Sequence, residues 1–237
     1  MIRFFVLLLL LFALPVSATL KVAVASNFRV TLNEIVTLYN QQSKQKILVS
    51  SASTGVLYNQ INHGAPFDLF LSADSERALL IEQSKFGINN SRFTYATGAL
   101  AFWYPQSTRI VDKHSLDTYK GRIAIGNPQL APYGFATKQF LQNISMWNQF
   151  DYVKGNNISQ AYQFIDSGNV AAGFVAYTAL LQNKNENYYL LPSNSYPPIL
   201  QQGVMLTNNK NRVELQHFVD FLQSESIVEF IRSKGYL

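Results

Sequence analysis

Cysteine is absent from the 237 residues, so neither a disulfide framework nor a thiolate zinc site can support the fold. Charge is scarce too: Asp, Glu, Lys and Arg make up 14% of the chain, against the roughly 25% usual for soluble proteins. With 48% hydrophobic residues, the composition excludes a disordered polyelectrolyte and leaves a substantial core in one or two domains. Lys and Arg outnumber Asp and Glu by 19 to 14, a balance compatible with nucleic acid, a membrane surface or a small anion. Catalytic signatures are missing as well. There is no Gly-x-Ser-x-Gly elbow, Walker phosphate loop, Gly-x-Gly-x-x-Gly fingerprint or His-Glu-x-x-His. His63, His114 and His217 lie far apart in sequence, none beside a second metal-type ligand.

Only one long apolar run occurs, Phe4 to Leu14, preceded by Arg3 and followed by Val16-Ser17-Ala18. A basic start, a short apolar stretch and small residues at −3 and −1 describe a signal peptide cleaved after Ala18. Residues 1–18 are therefore set aside, and the mature chain is expected to begin at Thr19 as a soluble exported protein. No cysteine follows the run, so lipoprotein anchoring is excluded.

The mature chain then alternates. Leu20 to Ala25 reads as a strand buried on both faces, and Phe28, Leu32, Ile35, Val36 and Tyr39 mark one face of a helix with Ser26 at its N-cap. Lys46 to Ser51 is a second strand, followed by Ser53-Thr54-Gly55 and a helix bearing Leu57 and Ile61. Asp68 to Ser72 is a third strand, followed by a helix through Leu79, Leu80 and Ile81. Such units predict an α/β fold with parallel strands. Asp74 and Glu76 could ligate a hard cation, but they fit better as N-cap and first-turn acid. Tyr95 to Tyr104 is strand-like. Strands at Arg122 to Gly126 and Ala171 to Ala176, with helices around Ala136–Phe140 and Ile158–Ile165, suggest a second lobe. Near the C-terminus come a strand at Gly203 to Leu206 and helices around Leu215–Leu222 and Ile227–Ile231, with Asn208-Asn209-Lys210-Asn211 as a polar turn.

Three turns, Ser26-Asn27, Ser53-Thr54-Gly55 and Ser72-Ala73, each end a strand and open a helix. In a parallel sheet such turns share the edge where ligands bind. Helix N-termini direct unpaired N–H groups and partial positive charge there. Hydroxyls and N–H groups gathered at that edge suit a small oxyanion.

At these turns the chain resembles the periplasmic molybdate-binding proteins of ABC transporters. The resemblance rests on Val24-Ala25-Ser26-Asn27, Ser53-Thr54-Gly55 and, above all, Gly64-Ala65-Pro66-Phe67-Asp68-Leu69-Phe70-Leu71-Ser72-Ala73-Asp74. It continues through Gly126-Asn127-Pro128, Ala131-Pro132-Tyr133-Gly134 and Gly173-Phe174-Val175-Ala176. It implies a two-lobed type II periplasmic binding protein fold, each lobe a mixed, mainly parallel sheet flanked by helices, with the ligand in the interlobe cleft. Residues 19–98 plus 198–237 would form lobe 1 and residues 99–197 lobe 2, with crossovers near Gly98 and Pro198.

The resemblance further implies that Ser26 contributes its hydroxyl and backbone N–H, and Thr54 a hydroxyl where the family usually has serine. Ala73, Tyr133 and Ile158 would each contribute a backbone N–H. Some members add a tyrosine hydroxyl after the strand ending here at Val175. Ala176 occupies the matching position, so Tyr177 is the substitute. No cofactor, direct metal ligation, catalytic residue or nucleic acid is expected. The expected partners are molybdate, with tungstate as a second ligand, and a membrane permease that receives it from a monomer. Sulfate or phosphate binding in the same cleft is the first alternative; a secreted hydrolase with a cryptic serine site is another, requiring a histidine near Ser26 or Thr54. A nucleic-acid or surface-binding module would need a basic stripe, whereas Lys and Arg are scattered.

Overall fold

The computed structural model describes residues 19–208 and 212–237. The signal-peptide segment 1–18 and most of the Asn208–Asn211 turn lie outside them.

The first half begins with β1 (Leu20–Ala25), a short 3₁₀ turn at Ser26–Phe28, and α1 (Arg29–Tyr39). It continues through β2 (Ile47–Ala52), α2 (Thr54–Asn62), β3 (Leu69–Ser72), α3 (Ser75–Glu82) and β4 (Phe93–Gly98). The middle of the chain holds β5 (Leu100–Trp103), α4 (Lys113–Thr118), β6 (Arg122–Gly126), α5 (Pro132–Asn143), β7 (Asp151–Gly155) and α6 (Ile158–Asp166). β8 (Ala172–Ala176), α7 (Tyr177–Gln182) and β9 (Tyr188–Leu190) complete it. The chain ends with β10 (Ile199–Met205), α8 (Arg212–Leu222) and α9 (Glu225–Ser233).

These strands form two five-stranded mixed sheets, in the orders β2-β1-β3-β10-β4 and β7-β6-β8-β5-β9. In the first, β1 pairs in parallel with β2 and β3, and β10 runs antiparallel to β3 and β4. The second repeats the plan: β6 is parallel to β7 and β8, and β5 antiparallel to β8 and β9. The aromatic run at 95–104, read as a single strand, is divided at Ala99 between β4 of one sheet and β5 of the other. β10 makes the return crossing.

Strand alternation sorts the first sheet's side chains onto two faces. Val22, Val24, Leu69 and Leu71 pack with Phe28, Leu32 and Ile35 of the first helical segment and with Leu215, Phe218, Ile227 and Ile231 from the C-terminal helices. Ala23, Phe70 and Val204 face the other way, onto Leu57 and Ile61 of α2 and Ile81 of α3. The second sheet builds its core from Phe102, Trp103, Ile123, Ile125, Phe140 and Phe174. Both sheets are thus covered by helices on each side, and the short strand-to-helix turns are left at the edges where the sheets face each other.

Candidate functional site

Five turns meet at one small cavity, lined by Ala25, Ser26, Asn27, Ser53, Thr54, Ala73, Ala131, Pro132, Tyr133, Asn157 and Ile158. Ser26, Thr54 and Ala73 come from the first sheet's strand ends; Tyr133 and Ile158 come from helices on the second. No Asp, Glu, Lys, Arg or His lines it. Its volume is ≈ 10 Å³, of the order of one water-sized sphere, far too small for a peptide or a nucleotide.

Each wall is a helix start, and the caps differ in a way that decides what remains available. Ser26 is not the N-cap expected from the sequence: Ala25 occupies that position and offers no side-chain acceptor. The Ser26 hydroxyl makes no hydrogen bond to any described residue, so it is left to the cavity. α5 is built likewise, with Ala131 at the N-cap, no side-chain cap, and Pro132 first in the helix. Tyr133 follows in the first turn, whose N–H groups have no intrahelical partner. Gly134 makes this approach possible, because a Cβ there would lie 2.1 Å from the carbonyl oxygen of Gly126 at the end of β6. α2 and α6 are capped instead. Ser53 Oγ accepts from Val56 N at 3.4 Å and Asn157 Oδ1 from Gln160 N at 3.0 Å. Those caps engage deeper N–H groups, leaving Thr54 and Ile158, the first residues of their helices, at the cavity wall.

Thr54 and Ala73 are linked in a way the sequence reading missed. The Ala73 N–H donates to Thr54 Oγ1 at 3.0 Å, so it is not a free donor as expected. The bond occupies an acceptor site of the Thr54 hydroxyl and leaves that hydroxyl's own hydrogen without an acceptor among the described residues. Thr54 is fully buried, and the cavity is the open side.

Tyr177 lies elsewhere. It opens α7, does not line the cavity, and its ring packs 5.6 Å from that of Tyr188. Tyr177 begins a helix and its side chain is directed to Tyr188 of β9, not to the cavity where the resemblance would put a substitute hydroxyl. Asn27 and Ser53, named in the sequence only as parts of their turns, also line the cavity, as does Asn157, which is not among the residues expected there from the sequence. Asn157 directly precedes the amphipathic helix α6, and asparagine at that place is an N-cap signal legible in the sequence. The acids behave as expected: Asp74 caps α3, accepting from Arg77 N at 2.8 Å. His63 sits at the far end of α2 as its C-cap, with Nδ1 2.7 Å from Asn59 O, and does not line the cavity beside Ser26 and Thr54.

Hydrogen bonds tie the two halves together around the cavity. Gly55 N donates to Leu130 O and Arg77 Nη2 to Gln129 O, both at 2.9 Å, with Arg77 also paired to Asp74. On the other side Gln182 Nε2 donates to Thr31 Oγ1 at 2.9 Å. The arrangement encloses a small space in neutral donors, which is a chemistry for an anion rich in acceptors.

Residues 20–237 match the family model of bacterial extracellular solute-binding proteins. The chain is 34% identical to the molybdate-binding protein of Rhodobacter capsulatus over 95% of this chain and 91% of that protein. It is 33% identical to the molybdate-binding protein of Azotobacter vinelandii over 93% and 90%. The solved structure of the periplasmic molybdate-binding protein from Azotobacter vinelandii superimposes with a TM-score of 0.86 at 32% identity, covering 92% of this chain and 98% of that one.

Proposed function

The chain belongs to the family of bacterial extracellular solute-binding proteins, and from that premise we propose that it captures molybdate in the cavity between its sheets and delivers it to an ABC permease. The observation that carries this reading is the convergence of two uncapped helix starts, at Ala25 and Ala131, on a cavity without charged side chains. Near neutral pH molybdate is fully deprotonated, so each of its oxygens accepts and the site needs only donors. Hydrogen bonds to a charged partner contribute roughly 1.5–3 kcal/mol each, and a submicromolar complex requires more than about 8 kcal/mol. A handful suffices after desolvation and closure. Neutral donors also prevent capture of any anion through bulk charge, leaving size to discriminate against sulfate.

In this reading Ser26 and Thr54 donate hydroxyl hydrogens, and Ser26, Tyr133 and Ile158 donate backbone N–H groups. Residues 19–98 with 198–237 act as one lobe and 99–197 as the other. The protein binds and releases without chemistry, works as a monomer without nucleic acid, and is exported with cleavage after Ala18, which N-terminal sequencing of the mature chain checks by a start at Thr19.

Calorimetry with molybdate, tungstate, sulfate and phosphate tests the ligand. Tight, stoichiometric binding of molybdate and tungstate with little response to the lighter anions is expected. Tight sulfate binding without a molybdate response would overturn the assignment.

A further inference from the structure

Tyr133 faces two tasks. Its backbone N–H belongs to the first turn of α5 at the cavity, while its side chain, 1% exposed, crosses into the other half of the molecule. There Gln201 Nε2 of β10 donates to the Tyr133 hydroxyl at 3.2 Å, and Asn27 Nδ2 approaches it at 3.5 Å. The receiving groups are themselves organised: Asn27 Nδ2 donates to Gln201 Oε1 at 2.9 Å, and the Tyr95 hydroxyl reaches the same oxygen at 3.1 Å. The Tyr236 hydroxyl donates to Asn27 O at 2.9 Å. Asn27, Tyr95, Gln201 and Tyr236 all belong to the first sheet or to segments packed on it. Tyr133 alone comes from the second.

The slot it enters is defined by a missing side chain. Gly98 ends β4, next to the crossover at Ala99. A Cβ at Gly98 would lie 2.2 Å from the Tyr133 hydroxyl oxygen, 2.7 Å from its Cζ and 3.1 Å from Gln201 Nε2. Gly98 is not among the residues with positive φ, so its backbone would tolerate alanine. The tyrosine would not.

We propose that the Tyr133 side chain is a closure clamp, whose hydroxyl locks over Gly98 into the Asn27–Gln201 pair and holds the two lobes shut around the anion. Tyr133 is thereby a positioning residue that ties ligand capture, through its N–H, to lobe closure, through its ring. The network has two arrangements, as a switch requires. When the lobes part, Asn27 and Gln201 keep their mutual bond, because both stay on the same half, and only the tyrosine leaves. The inference rests on the cavity being the oxyanion site.

The test uses the whole mature chain, with molybdate as ligand and a spin-label pair placed at one exposed position on each lobe. Tyr133→Phe removes the hydroxyl but keeps the ring and the backbone N–H. Gly98→Ala keeps every hydrogen-bonding group but fills the slot. Both are expected to weaken molybdate binding by about five- to a hundredfold, chiefly through faster release. The ligand-free melting temperature should not change, since the clamp forms only on closure, and the label separation at saturation should lengthen in Gly98→Ala. A double-mutant cycle separates the clamp from stiffening of the crossover: the penalty of Gly98→Ala should shrink in a Tyr133→Ala background. Wild-type affinity in both single variants, or an undiminished Gly98→Ala penalty in that background, would overturn the clamp. A wild-type protein that ignores molybdate would instead overturn the ligand assignment, and the same variants would then be compared by label separation in sulfate.

Discussion

Ser26 and Thr54 carry hydroxyls at the same cavity, yet they should respond differently to truncation. Ser26 Oγ has no partner among the described residues, so on the proposed reading Ser26→Ala removes a ligand donor and breaks no bond within the protein. Molybdate affinity should fall by roughly 10- to 150-fold, corresponding to about 1.5–3 kcal/mol, with the melting temperature of the ligand-free protein unchanged. Unchanged affinity would move the site elsewhere. Thr54 also accepts from Ala73 N–H inside a fully buried turn. Thr54→Val should therefore weaken binding and also cost about 1–3 kcal/mol of stability, because it orphans a buried donor. Denaturant titration of the two ligand-free variants distinguishes these roles, and Thr54→Ser, which keeps both bonds, should restore most of the stability.

At the level of the helix, the proposed site depends on the absence of a cap. A serine, threonine or asparagine before a helix satisfies first-turn N–H groups, and replacing such a residue by alanine costs about 0.5–2 kcal/mol. α5 begins after Ala131 without that stabilisation, so its donors remain available. Ala131→Ser should reverse the balance, making the ligand-free protein more stable by about 0.5–1 kcal/mol and molybdate binding weaker, because the new hydroxyl competes for the same N–H groups. A thermal melt paired with calorimetry reads both signs; stronger binding would show that α5's first turn is not a donor to the ligand.

For the whole molecule, closure depends on buried phenols as donors and acceptors. Burial holds the Tyr95 and Tyr133 hydroxyls far above the usual phenol value of 10.0 and pushes Tyr236 up to about 12. A folded-state value raised above the unfolded one contributes stability that is complete below the unfolded pKa and lost as pH rises through the folded one. Stability from this network should thus be full to about pH 10 and decline above it. The one titratable side chain lining the cavity is Tyr133, whose phenol burial holds well above 10.0, so molybdate affinity should stay level from about pH 6 to about pH 9. Calorimetry across this range checks the affinity, and urea midpoints carried on to about pH 12 check the stability; a tenfold affinity change below about pH 9 would reveal a titrating group at the site.

The alternation of Val22, Val24, Leu69 and Leu71 with Ala23 and Phe70, and the apolar faces of α1, α2, α6 and α8, made most of the fold legible, because a side chain buried on one face must repeat with the period of its own backbone. β7 and β9 escaped notice for the converse reason. They are the edge strands of their sheet, half-exposed, and an edge needs no such repeat. The turns at Ser26, Thr54, Tyr133 and Ile158 could likewise be found along the chain, since polar residues and proline mark where helices begin. By itself the sequence determined most of the strands and helices and which turns carry donors. Only the tertiary structure decided which donors are free. Thr54 takes Ala73's N–H across 19 residues, Tyr177 turns away to Tyr188, and Tyr133 reaches Gln201 across 68. A hydrogen bond depends on distance in space, and periodicity along a strand or helix carries no record of which distant turn will come within 3 Å.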